Sequence, residues 1–139
     1  MTRPAVVVDT NVVVAGLLTH QQASPVARIL DGMLGAAFPF VLSQALLAEY
    51  HAVLVRPGLR KLHGLSVAEV EVILVDIAQH AIFLAPATAP PAPDPGDQLL
   101  WELLAARSDL LLVTGDKLLL GDAGMRGRVV SPRSFIEGG

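Results

Sequence analysis

Cysteine is absent from the sequence, which excludes disulfides, zinc fingers and thiol nucleophiles and favours a reducing compartment. Aromatic residues are also scarce, at 4% of the 139 residues, yet 53% of the chain is hydrophobic and 17% is charged. A chain of this length and hydrophobicity buries a core that folds without covalent crosslinks. The composition therefore predicts a globular protein that depends on its hydrophobic core.

Long apolar runs are missing as well. The N-terminal segment MTRPAVVVDTN has a short apolar run that ends at Asp9, which is not typical of a secretory signal peptide. No other stretch approaches the roughly 20 apolar residues that a membrane-spanning helix needs. We therefore expect a soluble, cytoplasmic protein with no membrane association.

The sequence has no excess of positive charge. Its formal net charge is −3 and its isoelectric point is near 5.7. A protein that binds nucleic acid by neutralising the phosphate backbone is normally basic. Binding of a nucleic acid here would need either a local basic patch or divalent cations that reverse the sign of an acidic pocket.

Short apolar segments alternate with helical patterns, which predicts an α/β protein with a mainly parallel sheet covered by helices. The β-branched run Val6-Val7-Val8 is typical of a strand that is buried on both faces. Five strands are predicted, at residues 5–8, 38–42, 81–85, 110–114 and 128–130. Residues 86–95 hold five of the ten prolines and form a stiff connector, too short to separate two domains. We expect one domain over residues 1–139.

Four of the intervening helices carry recognisable start signals. Ser24 precedes Pro25, which suits the first helical position, and predicts a helix to about residue 34. Ser43 begins a helix that ends near residue 55, before Arg56-Pro57-Gly58. The remaining two signals are a capping box formed by Ser66 and Glu69, and Asp94-Pro95-Gly96-Asp97 before a leucine-rich helix at 99–104.

Four carboxylates stand out by their positions. Asp9 and Asp116 each follow an apolar strand, at the sheet edge where ligands bind in open α/β folds. Glu49 and Asp97 lie on predicted helices beside apolar faces, with no lysine or arginine one helical turn away. An ionised carboxylate that faces a core is unfavourable unless it is paired or binds a metal.

Each acid also has a structural interpretation, and these alternatives stay open at this point. Asp9 suits the cap of a helix that begins near Asn11, and Asp116 suits a turn in Thr-Gly-Asp. Asp94 suits a helix cap before Pro95. Asp97 then lies in the first turn, where a carboxylate favours the helix dipole. An error in the predicted helix phase would move Glu49 to a solvated face.

If the acids converge, their mutual repulsion predicts a divalent cation between them. Oxygen ligands favour Mg²⁺ or Mn²⁺ over zinc, and the four histidines show no metal-binding spacing. A site of this kind suits phosphodiester hydrolysis, because the metal lowers the pKa of a bound water.

The chain resembles the PIN-domain (PilT N-terminus-like) nucleases, and within them the VapC-like toxins of bacterial toxin–antitoxin pairs. The resemblance covers nearly the whole chain. The matching motifs are Asp9-Thr10-Asn11 after a hydrophobic strand, a helical Glu49, Asp94-Pro95-Gly96-Asp97 before a helix, and Thr114-Gly115-Asp116.

The resemblance implies a three-layer α/β/α sandwich with strand order 3-2-1-4-5. It also implies a Mg²⁺- or Mn²⁺-dependent endoribonuclease with RNA as substrate, a cognate antitoxin and a homodimer. The residues that it implies as catalytic and metal-binding are Asp9, Glu49, Asp97 and Asp116. Asn11 and Thr114, and beside them Asp94, would then orient ligands or the scissile phosphate.

The sequence departs from the family pattern at three positions. Many relatives carry a further acid two residues after the last aspartate, where this chain has Leu118. Gly96 and Gln98 also stand where acids or asparagine are frequent. These departures favour a weaker second metal site or a single-metal enzyme.

The basic residues are candidates for RNA contacts, but each could also be an ordinary solvated side chain. Arg56, Arg60 and Lys61, followed by His63, form the densest basic cluster and could hold an RNA backbone, although a solvated loop after Pro57 is the favoured interpretation. Lys117, Arg126, Arg128 and Arg133 are candidates to border the pocket, with the same alternative. Trp101 is expected in the core rather than stacked on a base.

Three functional hypotheses follow. The first is a metal-dependent ribonuclease that acts as the toxin of a toxin–antitoxin pair. The second is a catalytically weak PIN-like domain that binds RNA or a protein partner without turnover. The third is a phosphatase or receiver-type domain with a similar acidic pocket, which the lack of a matching phosphate-binding lysine disfavours.

Overall fold

The computed structural model describes residues 4–138 as a parallel sheet with helices packed against it. Residues 1–3 and 139 of the expected domain lie outside the described residues. The strands are β1 (Val6–Val8), β2 (Val41–Leu42), β3 (Ile82–Phe83), β4 (Leu111–Val113) and β5 (Val129–Val130). Each lies inside a segment that the sequence predicts as a strand.

The sheet has its strands in the predicted order. β4 pairs in parallel with both β1 and β5, and β2 pairs in parallel with β3. A parallel bridge between Val6 and Phe40 joins the two parts. The order is therefore β3-β2-β1-β4-β5, which confirms the predicted α/β fold class.

Eight α-helices are present within the described residues, seven between strands and one after β5. They are α1 (Thr10–Leu18), α2 (Pro25–Leu34), α3 (Gln44–Leu54), α4 (Pro57–His63), α5 (Val67–His80), α6 (Gln98–Leu104), α7 (Lys117–Leu120) and α8 (Pro132–Gly138). Short 3₁₀ turns at Pro95–Asp97 and Ala123–Met125 precede α6 and β5. None of the helices in residues 4–138 combines the length and the hydropathy that crossing a membrane requires.

The predicted helix caps are present. The Ser24 hydroxyl accepts a hydrogen bond from the Ala27 amide, and the Ser43 hydroxyl accepts one from the Leu46 amide. Ser66 and Glu69 form the reciprocal capping box, in which each side chain accepts from the other residue's amide. Local sequence chemistry therefore determines where these three helices begin.

The expectation of a solvated loop after Pro57 is wrong, because residues Pro57–His63 form α4. Proline ends a preceding helix but also suits the first position of a new one, where its missing amide leaves no bond unmade. Gly64 ends α4 in the left-handed conformation, at φ 74°. Arg60 and Lys61 are therefore held on a helix rather than on a loop.

The core lies between the sheet and the surrounding helices. The three valines of β1 are at most 1% exposed, as expected for a central strand. Trp101 is 2% exposed, which confirms its assignment to the core. At the opposite extreme, Ile82 and Phe83 on the edge strand β3 are 40% and 42% exposed.

Two helical glycines, Gly16 and Gly58, differ sharply in the space around them. A Cβ at Gly16 of α1 would lie 2.7 Å from the Val26 carbonyl oxygen, whereas a Cβ at Gly58 of α4 would meet nothing within 4 Å. Gly16→Ala should therefore lower the free energy of unfolding by about 1–3 kcal/mol through overpacking. Gly58→Ala should raise it by about 0.4–1 kcal/mol, because it restricts the unfolded chain.

Urea unfolding of the two variants measures both effects with the same chemical change. If Gly16→Ala proves as stable as the wild type, the close packing of α1 on α2 is refuted.

Candidate active site

The site begins where two neighbouring strands end. Val8 of β1 is in register with Val113 of β4, so Asp9 and Thr114 emerge side by side at the carboxyl edge of the sheet. The Thr114 hydroxyl donates a hydrogen bond to Oδ2 of Asp9 at 2.8 Å. Asp9 is 6% exposed and Thr114 is fully buried. The parallel register therefore places a buried carboxylate against a buried hydroxyl.

Asn11 connects the start of α1 to the loop after β4. Its Nδ2 donates to Oδ2 of Asp9 and to the Thr114 hydroxyl, both at 3.3 Å, and its Oδ1 accepts from the Gly115 amide at 3.2 Å. Asn11 and Thr114 therefore both donate to the same oxygen of the Asp9 carboxylate. Asn11 is thus more than a polar residue at a helix start.

Asp116 lies beside this network. Its amide donates to the Thr114 hydroxyl at 3.0 Å, and its Oδ1 accepts from the Leu118 amide at 2.9 Å, so Asp116 caps α7. Asp116 therefore has a structural role as a helix cap rather than as a residue of a Thr-Gly-Asp turn, and its charge also acts on Asp9. Thr114, with three hydrogen bonds through one hydroxyl, links the two aspartates.

Glu49 reaches the same edge from α3. The Thr10 hydroxyl donates a hydrogen bond to Oε2 of Glu49, and the Tyr50 hydroxyl donates one to the Val8 carbonyl oxygen. Thr10 and Tyr50 therefore hold α3 against the end of β1. Sequence reasoning did not single out these two residues, although Thr10 lies inside the first motif and Tyr50 is the one tyrosine of the chain.

Asp9 differs from an ordinary helix cap. It occupies the cap position of α1, yet its side chain makes no capping hydrogen bond within the part of the chain that the structure describes. Asp94, by contrast, behaves as the cap interpretation predicts, because its Oδ1 accepts from the Gly96 amide at 2.8 Å. The carboxylate of Asp9 is available for another role.

The electrostatics show that the four acids share one region. Burial raises the pKa of the Asp9 carboxyl above its ordinary value, and the charges of Glu49 and Asp116 raise it further, against hydrogen bonds from Thr114 and the Thr10 amide. Burial likewise raises the pKa of Asp97 to about 6, with the charges of four carboxylates adding to the effect; these are Asp9, Asp116, Asp94 and Glu49.

Within the part of the chain that the structure describes, no ion pair relieves this repulsion. Among residues 4–138, none of the ion pairs involves Asp9, Glu49, Asp97 or Asp116. The same residues also contain no group of three acids or histidines positioned to hold a metal ion together. The carboxylates are thus close enough to repel one another, but they do not form a closed metal-binding cluster.

The donor set nevertheless suits a hard divalent cation. Mg²⁺ keeps several of its waters and usually binds through one or two carboxylates together with substrate phosphates, rather than in a cage built from protein alone. Asp9, with its oriented carboxylate and no cationic partner in residues 4–138, fits such an open site. The chemistry and the charge of these residues suit the ion. Because the described residues do not form a closed cluster, water and phosphate would supply part of its coordination.

The prediction that Arg128 borders the pocket is wrong. Its guanidinium donates to the carbonyl oxygens of Leu104, Arg107 and Leu110, so it ties the end of α6 to β4. Arg133 lies near Glu137 at 3.8 Å on the exposed face of α8. Lys117 is exposed and follows Asp116 directly, at the start of α7.

The comparisons with known proteins agree with this geometry. A family model described as "PIN domain" matches residues 5–118, a span that contains Asp9, Glu49, Asp97 and Asp116. No curated protein matches the chain. PIN domains are typically metal-dependent nucleases. Because the matched span exceeds half of the sequence, the chain belongs to the PIN domain family.

Proposed function

We propose that the protein is a Mg²⁺- or Mn²⁺-dependent endoribonuclease. The observation that carries the proposal is the arrangement around Asp9. This buried carboxylate is oriented by Thr114 and Asn11, lies within the electrostatic reach of Glu49 and Asp116, and has no cationic partner in residues 4–138. Such an arrangement is unfavourable for the metal-free fold and favourable for binding a divalent ion.

Asp9, Glu49, Asp97 and Asp116 are the proposed ligands. When bound, the ion would supply a water of lowered pKa as nucleophile and would offset the charge of the phosphate. Thr114 and Asn11 orient Asp9, and Thr10 orients Glu49, so that both carboxylates keep their direction without the ion. These orienting groups are proposed to affect metal affinity rather than the chemistry itself.

One observation favours a second candidate function, a catalytically weak domain that binds RNA or a protein without turnover. Leu118 is 59% exposed where many relatives carry a further acid. The apolar side chain removes a potential ligand from the start of α7. RNA cleavage distinguishes the two candidates directly.

The proposed function predicts metal-dependent catalysis. Purified protein should cleave single-stranded RNA when Mn²⁺ or Mg²⁺ is added and should not do so in excess chelator. Asp9→Asn and Asp116→Asn should each reduce the rate on the order of 100-fold or more, because each removes a charge from the proposed metal site. Asn11→Ala should cost roughly 10–100-fold, as expected for a group that orients a ligand.

Asp76→Asn is the matched control, since it makes the same chemical change at an exposed position of α5. It should retain full activity, and circular dichroism should show all four variants to be folded. RNA binding by the wild type without any metal-stimulated cleavage would establish the weak-domain alternative instead.

We also predict how pH and divalent metal ions change the melting temperature. The pKa of Asp97 is about 6 in the folded protein, against an ordinary value of 3.8. Between these two pH values the folded state therefore binds more protons than the unfolded chain. The contribution of Asp97 to the free energy of unfolding is complete below about pH 4 and is lost as the pH rises through about 6. Asp97→Asn should accordingly melt at a higher temperature than the wild type at pH 7.5 in chelator, and at the same temperature near pH 4.

Adding Mg²⁺ or Mn²⁺ at pH 7.5 should reverse this difference. A tenfold excess over the dissociation constant should raise the melting temperature of the wild type by roughly 5 °C, and that of Asp97→Asn by less. Melting temperatures that do not respond to either ion in the wild type would remove the metal site from the proposal.

The toxin role, the homodimer and the extent of the domain are further parts of the proposal. A short neighbouring gene for a small DNA-binding protein with a disordered tail would support an antitoxin partner.

For a homodimer, Val72 and Val75 on α5, which are 62% and 55% exposed, provide an apolar surface. Sedimentation velocity tests the dimer, and Val75→Asp should shift the protein to a monomer. We expect residues 1–139 to act as a single PIN-like domain in the cytoplasm.

A further inference from the structure

Three of the ten lysine and arginine residues lie close together, at the start of α4 and within it. Arg56, at the start of α4, and Arg60 and Lys61 within it are all exposed. No carboxylate among residues 4–138 lies within ion-pair distance of any of the three. Arg107 and Arg133, by comparison, each have an acidic partner. The positive charge of α4 is therefore open to an external anion.

Helix α4 is anchored at its C-terminal end. At its C-terminus, Nε2 of His63 lies 2.9 Å from the Leu54 carbonyl oxygen, and Nδ1 accepts a hydrogen bond from the Leu65 amide at 3.0 Å. The Leu65 contact requires an unprotonated Nδ1, so the ring donates through Nε2 to α3. Pro57 presets the backbone at the other end. A rigid helix presents its cations at little entropic cost on binding.

A cleft separates α4 from the start of α5. Its volume is about 500 Å³, which is within the usual range for ligand sites. Arg60 and Lys61 line one side, and Ser66 and Glu69 line the other. The Ser66 amide and hydroxyl lower the pKa of Glu69, so this carboxylate is ionised at neutral pH and opposes an anion in the cleft.

Helix α4 contacts two of the helices that carry residues of the candidate active site. α4 packs against α1, which carries Thr10 and Asn11, and against α3, which carries Glu49. The active site itself is acidic and the whole chain has a formal net charge of −3, so both repel a polyanion. An RNA substrate therefore needs cationic contacts away from the scissile bond.

We propose that the cleft between α4 and α5 binds the phosphate backbone of single-stranded RNA through Arg60 and Lys61, beside the site that cleaves it. This inference rests on the proposed function for its substrate class. The contacts act on affinity and not on the chemical step, so their loss raises KM and leaves kcat unchanged. Glu69 limits the affinity by repelling the bound phosphate.

The test measures binding of a short fluorescein-labelled single-stranded RNA by fluorescence anisotropy, with Mg²⁺ present. The full chain carries Asp9→Asn so that the probe stays intact. Arg60→Gln with Lys61→Gln should weaken binding on the order of tenfold, and the slope of log affinity against log salt should fall by about 0.7 for each cation removed. Glu69→Gln, which preserves the capping box, should tighten binding roughly threefold.

The matched control is the double variant Arg28→Gln with Arg133→Gln, which makes the same change in net charge on α2 and α8. The inference is supported if this control keeps the parent's affinity and salt slope while the cleft variant loses both. It is overturned if the two double variants weaken binding equally, if Glu69→Gln has no effect, or if the parent does not bind RNA.

Cleavage kinetics in the wild-type background separate this inference from the proposed function. Arg60→Gln with Lys61→Gln should raise KM about tenfold with kcat unchanged. Cleft-dependent RNA binding by a protein that never cleaves RNA would refute the ribonuclease and leave the cleft intact. Cleavage that is indifferent to both cations would refute the cleft and leave the ribonuclease intact.

Discussion

The parallel register between β1 and β4 is the constraint on which the candidate site depends. It aligns Val8 with Val113, so that Asp9 and Thr114 leave the sheet together. A slip of one residue would turn Thr114 to the opposite face of the sheet and break its bond to Asp9. The Tyr50–Val8 bond then positions α3 on the same strand end, which brings Glu49 into the site. Two strands and one buried hydroxyl thus organise residues that are far apart in the sequence.

Charge is distributed unevenly over the protein, and the distribution is consistent with its proposed chemistry. Burial and the charges of neighbouring carboxylates raise the pKa of Asp9 and of Asp97, and neither acid has a cationic partner in residues 4–138. This arrangement destabilises the fold in the absence of metal, and the proposed divalent ion would offset that effect. The free cations of α4 lie on a separate element, where they can attract a polyanion without neutralising the acids that would bind the metal.

Local signals in the sequence were sufficient for most of the fold. The serine caps at Ser24, Ser43 and Ser66 act through hydrogen bonds only three residues long, so their effect can be read without tertiary information. The segment after Pro57 was predicted wrongly because proline is compatible both with the end of one helix and with the start of the next. The surroundings of Leu118 and Arg128 could not be predicted from local sequence either. Only tertiary packing decides whether a side chain contacts solvent, a ligand or backbone carbonyl oxygens.

The sequence by itself determined the alternation of strands and helices, the family and the identity of the acidic residues, because each is encoded in short-range periodicity or in contiguous motifs. Only the tertiary structure decided which groups meet. It paired Thr10 with Glu49 and Tyr50 with Val8, engaged Asp94 and Asp116 in caps, and left Asp9 without one. The physical reason is that pairing across a sheet and burial of charge depend on distances between residues about 40 to 100 positions apart, which no local pattern specifies.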